Sequence, residues 1–531
     1  METLRPVKKS TYVPSGSNEV AAVTSTAIAI AGSVDSGKSS FIGVCVKNML
    51  DNGKGLARSW VAKHQHEIDS GQTSDISIQI LKLGNGHHLT FVDLCGHEKY
   101  LKTTVRGISS YFPDYCCLIV SPQRGVTDIT KQHFKMLHSQ NIPMFIIVTR
   151  ADVATHQAYI DTRKAIKNMC KNMGGGQQAD FINLYKDYHS LKEGKTTEEE
   201  FDKKKTDDTL KLMDHLKLNS FGKQAVVPVV TVSNVTGYYM DVCRNAMKQM
   251  LPRDIWDQTS KNNRVVKMFQ NRLGIKDDDI NRSFSGTVFY RDATFKPQGV
   301  PGFVLSGIVR GDPVNIGDSL WLGPFGKEFF KVDVKSIHNN NRQPIPTLPD
   351  HGRGCCNIKI VGKIPFEIKR ESIRKGVIMV SKDNIKRLCY RFKAAIHVYN
   401  TSSLSIAPGY SPVIHIGPVS QSARVIKDES FKEVEDDKGK FKLRKIVGTG
   451  SIVELWFKFK REPEVIIPGS LLTFRSGSIH GVGMVTEILP IEVDEDARPD
   501  MSRKELSMKK SKNVSKTNVI KKTFQKIQLK L

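Results

Sequence analysis

Ala27-Ile28-Ala29-Ile30-Ala31-Gly32-Ser33-Val34-Asp35-Ser36-Gly37-Lys38-Ser39-Ser40 decides how this chain is read. A short apolar run enters a glycine-bearing turn, and Phe41, Val44, Cys45 and Met49 then repeat at helical spacing. The turn fits G-x-x-x-x-G-K-[ST] at Gly32, Gly37, Lys38 and Ser39. Glycines let successive backbone N–H groups curl around phosphate oxygens without a Cβ clash. Lys38 places a point charge on the β and γ phosphates, and the Ser39 hydroxyl reaches Mg²⁺. The helix behind aims its positive dipole end at the same anion.

Outward from this turn, short apolar runs alternate with helical stretches as far as Met250. Ile28–Ala31, Leu89–Leu94, Tyr115–Ser121, Met144–Thr149 and Val226–Val232 read as strands buried on both faces, because their apolar character is nearly continuous. Phe41–Leu50, Thr127–Ser139, Tyr159–Asn172 and Met240–Leu251 read as helices. The alternation predicts an α/β domain with a doubly wound, mostly parallel sheet over residues 25–255, behind a flexible arm at 1–24. Residues 174–217, with the run Gly174-Gly175-Gly176 and a charged run from Thr196 to Asp208, read as a partly helical, solvated insertion on the domain surface.

Residues 256–282 read as a linker. Beyond it, β-rich runs are cut by Gly, Pro and Asn: Gly286–Tyr290, Phe303–Arg310, Asp318–Leu322, Lys331–His338, Asn357–Val361 and Gly376–Val380. That spacing predicts an antiparallel β-barrel over 283–382. A second is expected over 383–492, from Lys393–Tyr399, Tyr410–Gly417, Gly450–Lys460 and Ser470–Arg475, with Glu429–Lys445 as a charged loop. Residues 493–531 read as a basic disordered tail.

At 531 residues, with 39% hydrophobic and 25% charged content, the chain suits a protein of several domains with real cores. No apolar run approaches the ~18 residues of a membrane span, and Met1–Ser17 lacks the apolar stretch of a secretory signal. The nine cysteines show neither a C-x-x-C pair nor zinc spacing, so reduced thiols in the cytoplasm are expected. A net charge of +26 favours a polyanionic partner, most simply RNA. Met501–Leu531 holds ten Lys/Arg against Glu505 alone, a net of +9, so +17 is spread over the body.

Hydrolysis of a nucleoside triphosphate needs more than a cradle. Asp93-Leu94-Cys95-Gly96-His97 ends an expected strand: Asp93 can hold the metal through water, Gly96 can offer its N–H to the γ-phosphate, and His97 can orient the attacking water. Glu67-Ile68-Asp69-Ser70-Gly71-Gln72-Thr73-Ser74 supplies a loop threonine, Thr73, able to ligate Mg²⁺ and act as an order–disorder switch. Thr149-Arg150-Ala151-Asp152 closes a buried strand, where the Asp152 carboxylate can accept both guanine N1–H and N2–H. Ser233-Asn234-Val235-Thr236-Gly237 ends the last strand, with backbone N–H groups for guanine O6.

With these five boxes in order, the first 250 residues resemble a GTP-binding domain of the translation-factor superfamily. Val34-Asp35 in the cradle and His97 after Gly96 mark that branch. The β-rich units resemble domains II and III of elongation factor Tu and elongation factor one-alpha. Pro301-Gly302-Phe303-Val304-Leu305-Ser306-Gly307-Ile308-Val309-Arg310-Gly311, followed by Ile316-Gly317-Asp318, is similar to the domain II signature. Ser70-Gly71-Gln72-Thr73-Ser74, the Thr opening the base-reading box and the Ser233 box are similar to the eukaryotic GTP-binding protein one/two branch. The resemblance implies Gly32 to Ser39 on the phosphates, Thr73 as the switch I threonine on Mg²⁺, Asp93 to His97 as switch II, Asp152 on guanine, and Val34 as part of an apolar gate beside His97.

Two departures carry expectations. Thr149-Arg150 stands where the family has Asn-Lys. Asn ties the base loop to the cradle; Thr is shorter, so a weaker tether is expected, while Arg150 can stack on the ring. Ser33 stands where many members carry His and leaves the backbone cradle intact. The implied function is a Mg²⁺-dependent GTPase, a monomer with GTP/GDP as ligands, acting on the ribosome or an RNA-linked process. The alternatives are an RNA-binding adaptor in RNA surveillance or decay that uses GTP as a slow switch, and an aminoacyl-tRNA carrier.

Overall fold

The computed structural model describes residues 25–62, 76–84, 87–139, 142–173, 177–193, 197–220, 226–250, 252, 269–271, 274, 285–299, 302–340, 342–362, 373–400, 405–428, 431–435, 441–446, 450–476 and 479–499. The expected arm, most of the linker, Thr73 and the basic run from Met501 lie outside them.

Seven strands form the first sheet: β1 (Ser25–Gly32), β2 (Ser77–Gly84), β3 (His87–Asp93), β4 (Tyr115–Val120), β5 (Met144–Val148), β6 (Gln178–Phe181) and β7 (Val226–Thr231). Their order is β2-β3-β1-β4-β5-β7-β6. Only the β2–β3 pair is antiparallel. Helices cover both faces: α1 (Lys38–Lys47), the single turn α2 (Leu56–Ser59), α3 (Leu101–Tyr111), α4 (Asp128–Ser139), α5 (His156–Met173), α6 (Tyr185–Lys192), α7 (Glu198–Ser220) and α8 (Met240–Lys248). Alternation along β1 explains its composition. Ile28 and Ile30 enter the core beneath α1, whereas Ala29 and Ala31 face the core containing Phe134 of α4. Every residue from Ala27 to Ala31 is fully buried, as the two-sided helix cover requires.

The expected surface insertion is instead part of the domain. β6 pairs in parallel with β7 and closes the sheet edge. Phe201, Leu212, Met213 and Leu216 of α7 enter the core. Asp180 of β6 holds α7 through Lys211 (2.9 Å) and His215 (2.8 Å).

Two closed barrels follow. The first uses β8 (Thr287–Phe295), β9 (Phe303–Gly311), β10 (Ser319–Phe325), β11 (Glu328–Asn339), β12 (Arg353–Ile360) and β13 (Ile378–Val380). They run β10-β13-β8-β9-β12-β11 around the ring, closed by antiparallel pairing of β10 with β11. The second uses β14 (Leu388–Asn400), β15 (Val413–Ile416), β16 (Val419–Val425), β17 (Ile452–Phe459), β18 (Leu471–Ser476) and β19 (Ile479–Pro490). Their ring is β17-β16-β15-β18-β19-β14, closed by β14 on β17. Closure removes the sheet edges. The expected charged loop carries a small hairpin, Lys432–Glu435 on Phe441–Ile446. The expected tail starts later than residue 493, because Asp494 is buried against Arg391 and Asp496 pairs with Lys458 at 2.6 Å.

The three bodies meet around α3. Ile308 of the first barrel joins the core that holds Ile108 and Phe112, and the Phe112 and Tyr290 rings lie 5.2 Å apart. Gly417 of the second barrel approaches the same two rings. Arg353 of β12 donates to the Tyr111 and Phe112 carbonyls at the C-terminal end of α3, with Asp114 4.0 Å away. Among the described residues no helix is long and apolar enough to cross a membrane.

Candidate functional site

β1, β3, β4 and β5 deliver their carboxyl ends to one edge of the sheet, the place where doubly wound folds hold ligands. β1 stops at Gly32, where a Cβ would fall 2.3 Å from the Ile119 carbonyl oxygen of β4; only glycine fits so close an approach. The Gly32 N–H donates to His133 Nδ1 of α4 at 3.2 Å. Burial holds the His133 pKa down at about 3, with the Lys38 charge acting the same way. The ring is therefore neutral and its Nδ1 can accept. Gly37 caps α1 without a side chain, so the first turn begins at Lys38 and its N–H groups face the cradle. Lys38 is buried and donates to the Ser33 carbonyl at 2.8 Å. Burial lowers its pKa, while the neighbouring Asp93 carboxylate works in the opposite direction.

The Ser39 hydroxyl donates to Asp93 Oδ2 at 2.8 Å. Two hard oxygens at one spot suit a hard cation that keeps waters and phosphate oxygens as its other ligands, so Mg²⁺ fits this pair. Among the described residues no cluster of three His, Cys, Asp or Glu stands ready for a metal. Leu94 and Cys95 are fully buried and lend the site only backbone. Gly96 presses on the cradle: a Cβ there would lie 2.5 Å from Lys38 Nζ and 2.9 Å from the Gly32 oxygen. His97 is exposed, and its Nδ1 accepts the Lys99 N–H at 3.1 Å, capping a single helical turn that leads into α3. In that geometry the neutral ring carries its proton on Nε2. One cleft is lined by Val34, Lys38, Ser39, Gly96, His97 and Arg150, so Val34 and His97 do share it.

Side-chain hydrogen bonds hold the base end. Thr149, though shorter than Asn, does reach the cradle: its hydroxyl donates to the Ser36 carbonyl at 2.8 Å, because β5 brings it directly alongside. Asp152 Oδ1 accepts from the Ser233 hydroxyl at 2.6 Å. The same Ser233 oxygen accepts the Val235 and Thr236 N–H groups at 3.2 and 3.1 Å, and the Ser233 N–H donates to the Tyr238 carbonyl. These bonds leave the Asn234 amide as the one this box can offer to guanine O6. Ala151 is buried and pairs its N–H with the Val232 carbonyl. Arg150 sits at φ 61 and donates to Gln123.

Gln123, Arg124, Arg58 and His133 join the site without belonging to any of the five boxes. Ser121-Pro122-Gln123-Arg124-Gly125 is a Pro/Gly turn directly after a buried strand, a signal that marks a loop at the ligand edge. Arg58 lines the cleft from α2. His133 lies on the apolar face of α4 beside Phe134, and nothing in periodicity separates it from an ordinary core position.

Residues 24–253 match the family model described as elongation factor Tu GTP binding domain. The chain is 29% identical over 512 residues to GTP-binding protein 1 of Xenopus laevis, covering 91% of this chain and 67% of that protein. In fold it is similar to translation elongation factor SelB from Methanococcus maripaludis in complex with the GTP analogue GppNHp, with a TM-score of 0.53, 17% identity, and coverage of 88% of this chain and 80% of that one. It is also similar to the Ski7 GTPase-like domain of Saccharomyces cerevisiae bound to GTP, with a TM-score of 0.57, 12% identity, and coverage of 87% and 97%. With the phosphate cradle, the Asp93–His97 box and the two closed barrels in this order, the chain is translation-factor-like, and its residues 24–253 form a GTP-binding domain of the elongation factor Tu type.

Proposed function

We propose that this protein binds GTP with Mg²⁺ and hydrolyses it to GDP and phosphate, using the cycle to reposition α3 against its barrels in an RNA- or ribosome-linked process of the cytoplasm. One observation carries the reading: Lys38, Ser39, Gly96 and His97 line one cleft, and the chain runs from His97 straight into the helix that both barrels grip. Backbone N–H groups between Ser33 and Ser39 bind the β and γ phosphates, with Lys38 adding its charge. Mg²⁺, when bound, supplies positive charge across the phosphate oxygens. His97 donates from Nε2 to hold a water in line with the γ-phosphorus. The water oxygen bonds to phosphorus as the bond to the β–γ bridging oxygen breaks, and the water proton passes to phosphate oxygen. The Gly96 N–H faces the γ-phosphate, so loss of that group frees the segment that starts α3. Thr73 is assigned the second metal contact from switch I, and Asp152 the guanine edge.

Replacing His97 with Ala should lower hydrolysis by about 10²-fold or more, leaving the affinity for a fluorescent GTP analogue nearly unchanged. Loss of binding in that variant would make His97 structural and remove its water-positioning role. Turnover should rise on adding intact ribosomes; an equal rate without them would rule out the ribosome-linked form.

A second reading, an aminoacyl-tRNA carrier, is favoured by a cleft between the β2–β3 edge and the first barrel, lined among others by Ile78, Thr90, Asp292, Ser306, His338 and Arg353. It offers apolar wall and ionisable groups together, as an aminoacyl end would need. Tighter binding of charged than of uncharged tRNA is the outcome that supports it.

A further inference from the structure

The turn after β4 reaches both ends of the nucleotide site. Arg124 and Gly125 return their N–H groups to the Ser121 carbonyl at 3.1 and 2.9 Å, so the turn is tight. From it Gln123 accepts from Arg150 of the base box. Arg124 Nη2 lies 2.9 Å from Asp35 Oδ2 in the phosphate cradle. Asp35 poses a charge problem: it is a carboxylate inside the loop that wraps a polyanion, held there at φ 58. Like charges at this range repel strongly wherever water is displaced. Both partners are well exposed, at 58% and 42%, and exposed pairs of this kind contribute little to folding stability. The pair makes better sense as part of ligand binding.

We infer that Arg124 is a positioning residue for the triphosphate, which neutralises Asp35 so that the cradle accepts the β and γ phosphates. The inference rests on the GTP-binding reading above. Its guanidinium cancels the Asp35 charge and adds positive potential at the cradle mouth. GTP carries more negative charge than GDP, so losing Arg124 penalises GTP more.

The test measures affinities of fluorescent GTP and GDP analogues for the full chain and for Arg124→Ala, Arg124→Lys, Asp35→Asn and the Asp35→Asn/Arg124→Ala double variant. Arg124→Ala should lose about tenfold in GTP affinity and clearly less for GDP, with the gap narrowing at high salt. Arg124→Lys should keep most of the affinity. The double variant should return to within about twofold of Asp35→Asn, as coupling through one charge requires. Should Arg124→Ala fail to fold, Arg124→Gln takes its place in every arm. GTP affinity unchanged in Arg124→Ala would overturn the inference, as would a double variant as weak as Arg124→Ala alone. A wild-type chain that binds neither nucleotide would instead overturn the GTP reading itself.

Discussion

At the phosphate end, Lys38, Asp93 and His133 are 6%, 2% and 0% exposed, whereas at the base end Arg150 and Asp152 are half-buried and Val235 is 37% exposed. The first end rests largely on contacts to backbone, the Gly32 N–H on His133 and Lys38 on the Ser33 carbonyl, with one side-chain pair, Ser39 on Asp93. The second is made of side chains holding side chains, Asp152 with Ser233 and Arg150 with Gln123. Hydrogen bonds in the low dielectric of the interior are stronger and their loss costs more. The phosphate end is therefore preorganised for any nucleotide, and the choice of base rests on a softer, more adjustable loop.

The largest expected effect tests that division at the base. Asp152→Asn should lower GTP affinity by about 30-fold or more, since hydrogen bonds to a charged acceptor contribute about 1.5–3 kcal/mol each. It should shift preference toward xanthine nucleotides, measured by competition against a fluorescent GDP analogue. Unchanged GTP binding would mean that Asp152 does not read the base, and the contrast between the ends would collapse.

Acid should act on the phosphate end. The pKa of His133 is about 3 in the folded chain, against 6.5 as its ordinary value. Above pH 6.5 both folded and unfolded chains hold it neutral, and the Gly32 contact contributes fully. Below 6.5 the unfolded chain takes up a proton that the folded chain refuses, so stability falls as pH drops toward 3, at about 1.4 kcal/mol per unit. Urea titrations followed by release of a bound fluorescent nucleotide should lose about 2 kcal/mol between pH 7 and pH 5 from this group. His133→Asn keeps an acceptor for Gly32 and should remove that part of the slope; an identical slope would assign the acid sensitivity elsewhere.

The smallest effect probes the bond that joins the two ends. Thr149→Ala removes the hydroxyl bond to Ser36, which is worth about 1 kcal/mol. A loss of a few-fold in affinity should appear equally for GTP and GDP, by equilibrium titration. A loss confined to guanine over other bases would place Thr149 with the base reader rather than with the cradle.

How legible each part was depended on how local its physics is. The cradle could be read because Gly32, Gly37, Lys38 and Ser39 stand at fixed spacing in one turn between a strand and a helix, although Gly32 and Ser39 also answer to Ile119 and Asp93 far along the chain. The barrels could be read because Gly and Pro punctuate short strands. β6 and α7 could not: Gln178–Phe181 is short and half-polar, and the charged first half of α7 hides the buried stripe that Phe201 begins and Leu212, Met213 and Leu216 continue. The Thr149 contact is invisible to side-chain length alone, because it depends on how near β5 stands to Ser36. Gln123 and Arg124 acquire their partners only when the turn after β4 folds beside two other loops.

Arg353 gives α3 a mechanical property. The last carbonyls of a helix have no partners within it, and here a guanidinium from the first barrel takes two of them. Burial already disfavours the charge on Arg353, with Asp114 and Asp292 offsetting part of that cost. Both bonds come from one planar group, so a slide of α3 would cost the two together, while Asp114 and Asp292 would keep the guanidinium in place: the helix end is held by a clasp that opens as a unit.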